Sequence, residues 1–413
     1  MKVFFTFTPA FNPENGGVQK TTYKLGKYFT EKGCHVVYYS LAKEGHIEPS
    51  DGVLYHSSEE GKEDNPNNIK RLETVLNKEQ PEYVINQMPY ENPLRKCLKA
   101  NKQKIGYWLL GCLRNSLFSV KSNLRTKLYW SLPGWAFKLI NHPPGLQLVQ
   151  LRHWLKHRSY LKAMLNDHDR FVLLTLANHE ELKHFVGNYK KEKVTTIPNS
   201  IPGVNPETLD KKEKIILYVG RLKVKQKRVD LLADFWEKVY AYLPEWHFKI
   251  VGDGPYRSQL EEDINTKNLD RIQLEGYQDP TPYFERASIF VMFSGFEGFP
   301  NVLPEAQSYG VVPFAFNSYA ALAHIVNHNR DAMLSKPFDT SDMANQILSV
   351  GQDSKQLEDM RYAAIQNAER FTINIVGQEW LKLFHQLTGS KDLGNKNETN
   401  QTATNQTATS NKQ

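Results

Sequence analysis

Two glutamates, Glu297 and Glu305, stand eight positions apart in SGFEGFPNVLPEAQSYG (residues 294–310), an apolar, proline-broken segment without a lysine or arginine of its own. An unpaired carboxylate is costly to bury, so each acid must be solvated, paired, or bonded to something that is not protein. A carboxylate holds a diol through its two oxygens without a protein cation, which makes sugar hydroxyls suitable partners for both. A second segment, YVGRLKVKQKRVDLLADFW (218–236), carries Arg221 and Lys227. Two fixed cations in a water-poor cleft suit a diphosphate, whose departing charge they would neutralise more strongly than in water. Lys223, Lys225 and Arg228 beside them read as a surface loop. A third segment, FNPENGGVQKTTYKLGKYF (11–29), offers Gly16 and Gly17 at a strand-to-helix turn, where paired glycines permit close backbone approach and a helix start offers free amides to an anion. A plain tight turn suits the two glycines equally well, and the spacing is not that of the dinucleotide fingerprint GxGxxG.

These residues need elements to hold them. Short apolar strands alternate with amphipathic stretches, the pattern of parallel sheets with crossover helices. The first half offers KVFFTFTP, HVVYYSL, YVINQ, KIGYWLL and RFVLLTL; the second offers KIILYVG, WHFKIVG, IQLEGY, SIFVMFS and VVPFAF. Two consecutive doubly wound units follow, joined where IPNSIPGVNPET (197–208) breaks either pattern. Ligands of such folds gather at the carboxyl ends of the strands, so two facing units enclose a cleft. Arg221 then follows the first strand of the second unit, and Glu297 lies in a loop after SIFVMFS. Pro304 suits the first turn of a short helix that starts near Glu305 and stops at Gly310. In IVGDGPYRSQLEE (250–262), Gly252 and Gly254 serve backbone geometry and Asp253 caps a turn.

The chain has 413 residues, of which 40% are apolar, enough for two cores. The net charge of +7 is local: residues 92–166 hold 14 Lys and Arg and no acid, while the rest carries 38 against 45 acids. Trp108, Trp130, Trp135 and Trp154 lie in the same stretch. Cations interleaved with aromatic rings suit an anionic membrane surface, a solvated basic face, or nucleic acid; the membrane reading over about 95–162 is preferred and nucleic acid is not expected. No apolar run is long enough to span a bilayer and no signal peptide is evident, so a cytoplasmic protein, peripheral on the inner face of the plasma membrane, is expected. Cys34, Cys97 and Cys112 suggest neither disulfides nor zinc. Asp167 and Asp169 in NDHDR form a D-x-D pattern, but it precedes its strand and reads as a turn rather than a metal site. His153 and His157 have zinc-compatible spacing without a nearby acid, and read as a basic helical face.

EGFPNVLPEA and YVGRL…QKRVDLL resemble the E-x7-E segment and the Arg and Lys diphosphate clamp of the family 4 retaining glycosyltransferases. GGVQK, IPNSI and VGDGP are similar to their N-terminal glycine loop, second-domain entry and second-domain turn, and the resemblance covers about residues 3–388. It implies an α/β GT-B fold: an acceptor-side Rossmann-like domain over 1–197, a nucleotide-sugar domain over 198–372, and a helix at about 373–388 crossing back to the first. The tail 389–413, rich in Asn, Gln and Thr, is expected to be disordered.

The same resemblance implies a nucleotide-diphosphate sugar as co-substrate, no metal or other cofactor, retention at the anomeric carbon, and a glycan or lipid-linked acceptor. Arg221 and Lys227 would bind the diphosphate, with Gly16 and Gly17 nearby, and Glu305 the ribose. Glu297 would hold the donor sugar, helped by the backbone around Gly298, Phe299, Asn301, Val302 and Leu303. Where many members place a histidine facing the sugar, at the end of KIGYWLLGCLRN, this chain has Leu109 and Leu110. Acceptor activation is then expected to fall to the leaving phosphate oxygen. A nucleotide-sugar epimerase or hydrolase on the same fold is the rival enzyme reading, and a non-catalytic membrane or nucleic-acid binding protein the rival of another class.

Overall fold

In a computed structural model of the chain, the described residues are 1–7, 11–13, 16–40, 52–56, 65–118, 124–129 and 131–389. Trp130, the ends of the first two expected strands and the tail from residue 390 lie outside them.

The strands build two parallel sheets. The first contains β1 (Lys2–Phe7), β2 (His35–Ser40), β3 (Val53–His56), β4 (Tyr83–Asn86), β5 (Trp108–Cys112), β6 (Arg170–Leu173) and β7 (Val194–Thr196), in the order β3-β2-β1-β4-β5-β6-β7. The second contains β8 (Ile215–Val219), β9 (His247–Val251), β10 (Ile272–Gly276), β11 (Ile289–Met292), β12 (Val312–Phe316) and β13 (Met333–Ser335), in the order β10-β9-β8-β11-β12-β13. Both therefore reverse their winding beside their first strand, between β1 and β4 and between β8 and β11, and each reversal opens a crevice at the strands' carboxyl ends. The strand sequences are near-continuous apolar runs because helices cover both faces; every residue of β1 after Lys2 is buried.

The helix Gly17–Glu31 turns Leu25, Tyr28 and Phe29 into one core with Phe5, Val36 and Tyr38. The last helix, residues 373–389, packs Val376, Trp380, Leu383 and Phe384 into that same core, with the Phe384 ring stacked 4.2 Å from Tyr83. Its approach follows from one contact: residues 201 and 372 form a parallel bridge, so the strand leaving the first sheet and the strand returning to it run side by side.

Three short edge strands, β3, β7 and β13, have no counterpart in the sequence reading; at three or four residues they carry no periodicity to find. A second difference matters more for the site. KIGYWLL was read as one strand, yet Lys104 and Ile105 finish the helix Asn92–Ile105, which Gly106 ends in the left-handed region at φ 89°. The strand begins at Trp108 and runs on to Cys112. Leu109 and Leu110 are thus mid-strand core residues, and the position beyond the strand's carboxyl end belongs to Arg114.

Between β5 and β6 the chain makes a helical excursion, Leu124–Tyr129, Gly134–Ile140 and Pro143–Asp167. The last helix is docked mainly through Leu161, Met164 and Leu165 near its end. NDHDR follows: Asp167 pairs with Arg95 (2.9 Å) and Lys99 (2.7 Å), while Asp169 pairs with Lys102 and accepts from the Leu109 amide (2.8 Å). Both aspartates fasten this excursion to the helix Asn92–Ile105, and Asp169 fastens it to the sheet as well.

Candidate functional site

The two crevices face each other. A Cβ placed on Gly16, whose φ of +83° lies in the region that favours glycine, would sit 3.8 Å from the Arg221 guanidinium of the second lobe. A Cβ on Gly17 would meet the Asn301 carboxamide at 3.2 Å. Gly298 approaches more closely still: its Cβ would lie 2.1 Å from the Arg114 carbonyl, so any other residue there would push the sugar-loop candidate off the first lobe. Gly252 and Gly254 pack against the backbone of Gly220 and Leu222, and Asp253 accepts from the Gly254 amide at 2.7 Å, the turn role expected of them.

Lys227 ends the short helix Val224–Lys227 and reaches the loop after β11, where its ammonium lies 2.7 Å from Glu297. Gln226 donates to the other Glu297 oxygen at 3.0 Å and to the Phe296 carbonyl at 3.3 Å. Glu305, in the first turn of the helix Val302–Ser308, is 3.5 Å from Lys24 and 4.0 Å from Lys20, both on the helix that follows Gly16. The expectation that the two acids need no protein cation is therefore overturned. The segment lacks its own cations because others arrive from β8's loop and from the opposite lobe. Burial pulls the Lys24 ammonium below the usual lysine range, with Glu305 opposing that shift. A cavity of about 290 Å³ opens beside Glu305, lined also by Lys20, Lys24, Asn205, Thr281 and Tyr309.

Arg221 is exposed beyond β8, with its carbonyl accepting from the buried Tyr218 hydroxyl at 3.4 Å. Phe299 and Leu303 turn their side chains into the second core, Phe299 against Phe371, so only their main chain is available to a ligand. Val302 is partly buried against that core.

Sequence reasoning missed a polar chain that crosses the cleft. Arg114 donates through Nε to Gln87 Oε1 (2.7 Å) and through Nη1 to Asn199 Oδ1 (2.8 Å). Asn199 donates to Asn301 Oδ1 (2.8 Å), and Asn301 donates to Thr21 Oγ1 (3.2 Å). Five elements meet in it: the ends of β4 and β5, the inter-lobe linker, the start of the helix Val302–Ser308, and the helix of the glycine loop. The signal that would have found Arg114 is Gly106, a helix stop that shifts the whole strand toward the carboxyl side. Lys20 and Lys24, one turn apart directly after the glycine pair, were likewise legible as one helical face.

Among the described residues no group of three His, Cys, Asp or Glu could hold a metal ion. The rings of His153 and His157 lie 4.0 Å apart, tilted, and both contact Phe185.

Residues 213–353 match the family described as glycosyl transferases group 1. An exopolysaccharide phosphotransferase of Streptomyces coelicolor is 30% identical over 228 residues, which are 54% of this chain and 24% of that protein. A GalNAc-alpha-(1->4)-GalNAc-alpha-(1->3)-diNAcBac-PP-undecaprenol alpha-1,4-N-acetyl-D-galactosaminyltransferase of Campylobacter jejuni is 26% identical over 181 residues, 43% of this chain and 49% of that protein. The chain thus spans about a quarter and about half the length of these two relatives. Among solved structures, Anabaena HepE in complex with UDP and glucose superposes with a TM-score of 0.69 over 94% of this chain and 100% of that one, at 15% identity. Two facing doubly wound sheets with this match over the second of them identify the architecture as GT-B and residues 213–353 as a glycosyl transferases group 1 domain.

Proposed function

We propose that the chain is a retaining glycosyltransferase that moves a sugar from a nucleotide-diphosphate sugar to a glycan or lipid-linked acceptor at the cytoplasmic membrane face. Residues 1–197 with the crossing helix form the acceptor side, and 198–372 the donor side. The observation that carries this reading is the convergence of Gly16, Arg221, the Lys227–Glu297 pair, Asn301 and Glu305 on one inter-lobe cleft. Relatives and neighbours named for glycosyl transfer and for bound UDP support it.

In this mechanism Arg221 and Lys227 hold the diphosphate. Lys227 has three N–H donors and one is already directed at Glu297, so the same ammonium can bridge the carboxylate and an incoming phosphate. Glu297 takes hydroxyls of the donor sugar beside the main chain of Gly298–Val302, and Glu305 takes the ribose hydroxyls at the cavity it borders. The bond between the anomeric carbon and the phosphate oxygen breaks through an oxocarbenium-like state. The clamp neutralises the departing charge, the acceptor oxygen bonds to the same face, and its proton passes to the leaving phosphate oxygen. No metal or other cofactor enters any step.

The membrane part of the reading rests on the helical excursion. Arg95, Lys99 and Lys102 are consumed by Asp167 and Asp169, which narrows the basic aromatic stretch to about 124–162. There the helix Pro143–Asp167 exposes Leu148, Leu151, Arg152, Leu155, Lys156 and Lys162 along one face, next to exposed Trp135 and Leu139. A face of leucines and cations suits the boundary between anionic headgroups and acyl chains. No helix among the described residues is long and apolar enough to cross a membrane.

The test is thermal stability with millimolar UDP, GDP and ADP and their common sugars, in EDTA, for the wild type and Glu305→Ala. A ligand at 100 times its dissociation constant adds about 2.7 kcal/mol to the folded state. Stabilisation of the wild type by one nucleotide, cut to about half in Glu305→Ala, is the expected result; no stabilisation by any of them refutes the proposal.

A further inference from the structure

Arg114 differs from Arg221, which is exposed, and from the lysines of the cleft, which are paired. It is 8% exposed, and both hydrogen bonds it donates end on neutral carboxamides, Gln87 and Asn199. Among the described residues no carboxylate pairs with it, whereas Lys227, Lys20 and Lys24 each lie on a glutamate. Its Nη2 donates to nothing in the described chain. Beside it Gln87, fully buried, has its Nε2 without a partner. The Gln87 orientation is fixed by Arg114: rotating the carboxamide would set an N–H against the Nε–H of the guanidinium. The pair therefore presents unused donors and no acceptor. A buried guanidinium is stable when a carboxylate or phosphate completes its fork, and a buried N–H when an oxygen meets it. Both groups stand at the carboxyl ends of neighbouring strands, β4 and β5, and the Arg114 backbone touches Gly298 of the loop that the proposed function assigns to the donor sugar.

We propose that Arg114 and Gln87 receive an anionic substituent of the transferred sugar, so that the donor is an acidic sugar nucleotide of the hexuronate class rather than a neutral hexose. The inference rests on the glycosyltransferase reading. Arg114 acts as a specificity-determining residue: its guanidinium accepts the carboxylate side on, and Gln87 Nε2 donates to one of its oxygens. A neutral hydroxymethyl group at that position would leave the guanidinium uncompensated.

The experiment is calorimetric titration of the full chain with UDP and GDP and with two matched pairs, UDP-glucose against UDP-glucuronate and GDP-mannose against GDP-mannuronate. The wild type is expected to bind the acidic member of its pair about 10- to 100-fold more tightly than the neutral one, as for a charged hydrogen bond. Arg114→Gln should abolish that preference, leave the affinity for the bare nucleoside diphosphate unchanged, and be partly rescued by Arg114→Lys. Equal affinity of the wild type for both members, measured before any variant is made, overturns the inference while binding of UDP or GDP keeps the glycosyltransferase reading. A fall in nucleoside diphosphate affinity in Arg114→Gln equal to its fall for the acidic sugar places Arg114 in the phosphate clamp and overturns it too. Failure of every nucleotide to bind overturns both.

Discussion

The crevice of the second sheet and the crevice of the first handle charge in opposite ways. In the second, Glu297 and Lys227 neutralise each other at 2.7 Å, and Gln226 satisfies the remaining carboxylate oxygen. In the first, Arg114 is held by amides alone. A charge matched within the protein keeps its place without ligand and must exchange partners when one arrives. A crevice with an unmatched charge is completed by the ligand. On the proposed function, the difference separates a preorganised donor clamp from a group that selects what the clamp delivers.

The comparison breaks most visibly at Lys227. Lys227→Ala leaves Glu297 without its cation and removes half of the proposed clamp, so transfer to any acceptor should fall about 10²- to 10³-fold, with a loss of stability as well. Adding Glu297→Gln should restore the stability and not the turnover, a cycle read by urea unfolding beside steady-state rates. If the double variant stays as unstable as the single one, the pair is not what holds the loop. Glu305→Ala should weaken nucleotide binding by about 10-fold, the value of one charged hydrogen-bonding group, measured by titration. It should not alter any preference among sugars on the same nucleotide.

Acid should separate the lobes. His168, beneath the first crevice, donates through Nδ1 to the Met164 carbonyl and accepts from Asn86, and burial holds its imidazole down to about 4. The unfolded chain takes up that proton near 6.5. The stability involved is thus fully present above pH 6.5 and is lost as the pH falls toward 4. Between pH 7 and pH 5 the first lobe should lose about 2 kcal/mol that a His168→Gln variant does not lose, followed by Trp108 and Trp154 fluorescence in urea titrations. A smaller effect belongs to the bridge between the crevices. Asn301→Ala cuts both of its hydrogen bonds and should cost about 1 kcal/mol, visible as a lower thermal midpoint. Leu151→Glu with Leu155→Glu should leave stability within about 0.5 kcal/mol while abolishing flotation with anionic liposomes; unchanged flotation would remove the membrane from the proposed function.

The central strands were legible because buried parallel strands must be apolar without interruption, and KVFFTF and SIFVMF admit no other reading at their length. That Arg221, Lys227 and Glu297 come to the cleft was legible from their places after strands, and that Glu305 does so from the helix start marked by Pro304. Which groups pair across the cleft was not, because Lys20 and Lys24 meet Glu305 over some 280 positions of chain, and no local period encodes that meeting. Arg114 was lost to a local error: β-branched and aromatic residues in IGYW pull the strand reading forward, and the helix stop at Gly106 overrides it.

The side-by-side crossing at Ile201 and Thr372 has a mechanical consequence. The Ile201 amide donates to the Phe371 carbonyl and the Ile373 amide donates to the Ile201 carbonyl, each at 2.8 Å, so the two connections between the lobes behave as one pin rather than two separate ropes. A body hung on a single pin swings and does not slide. A rotation about that pin would lift Asn301 from Thr21, and Glu305 from Lys20 and Lys24, together, while the last helix stayed with the lobe that it caps.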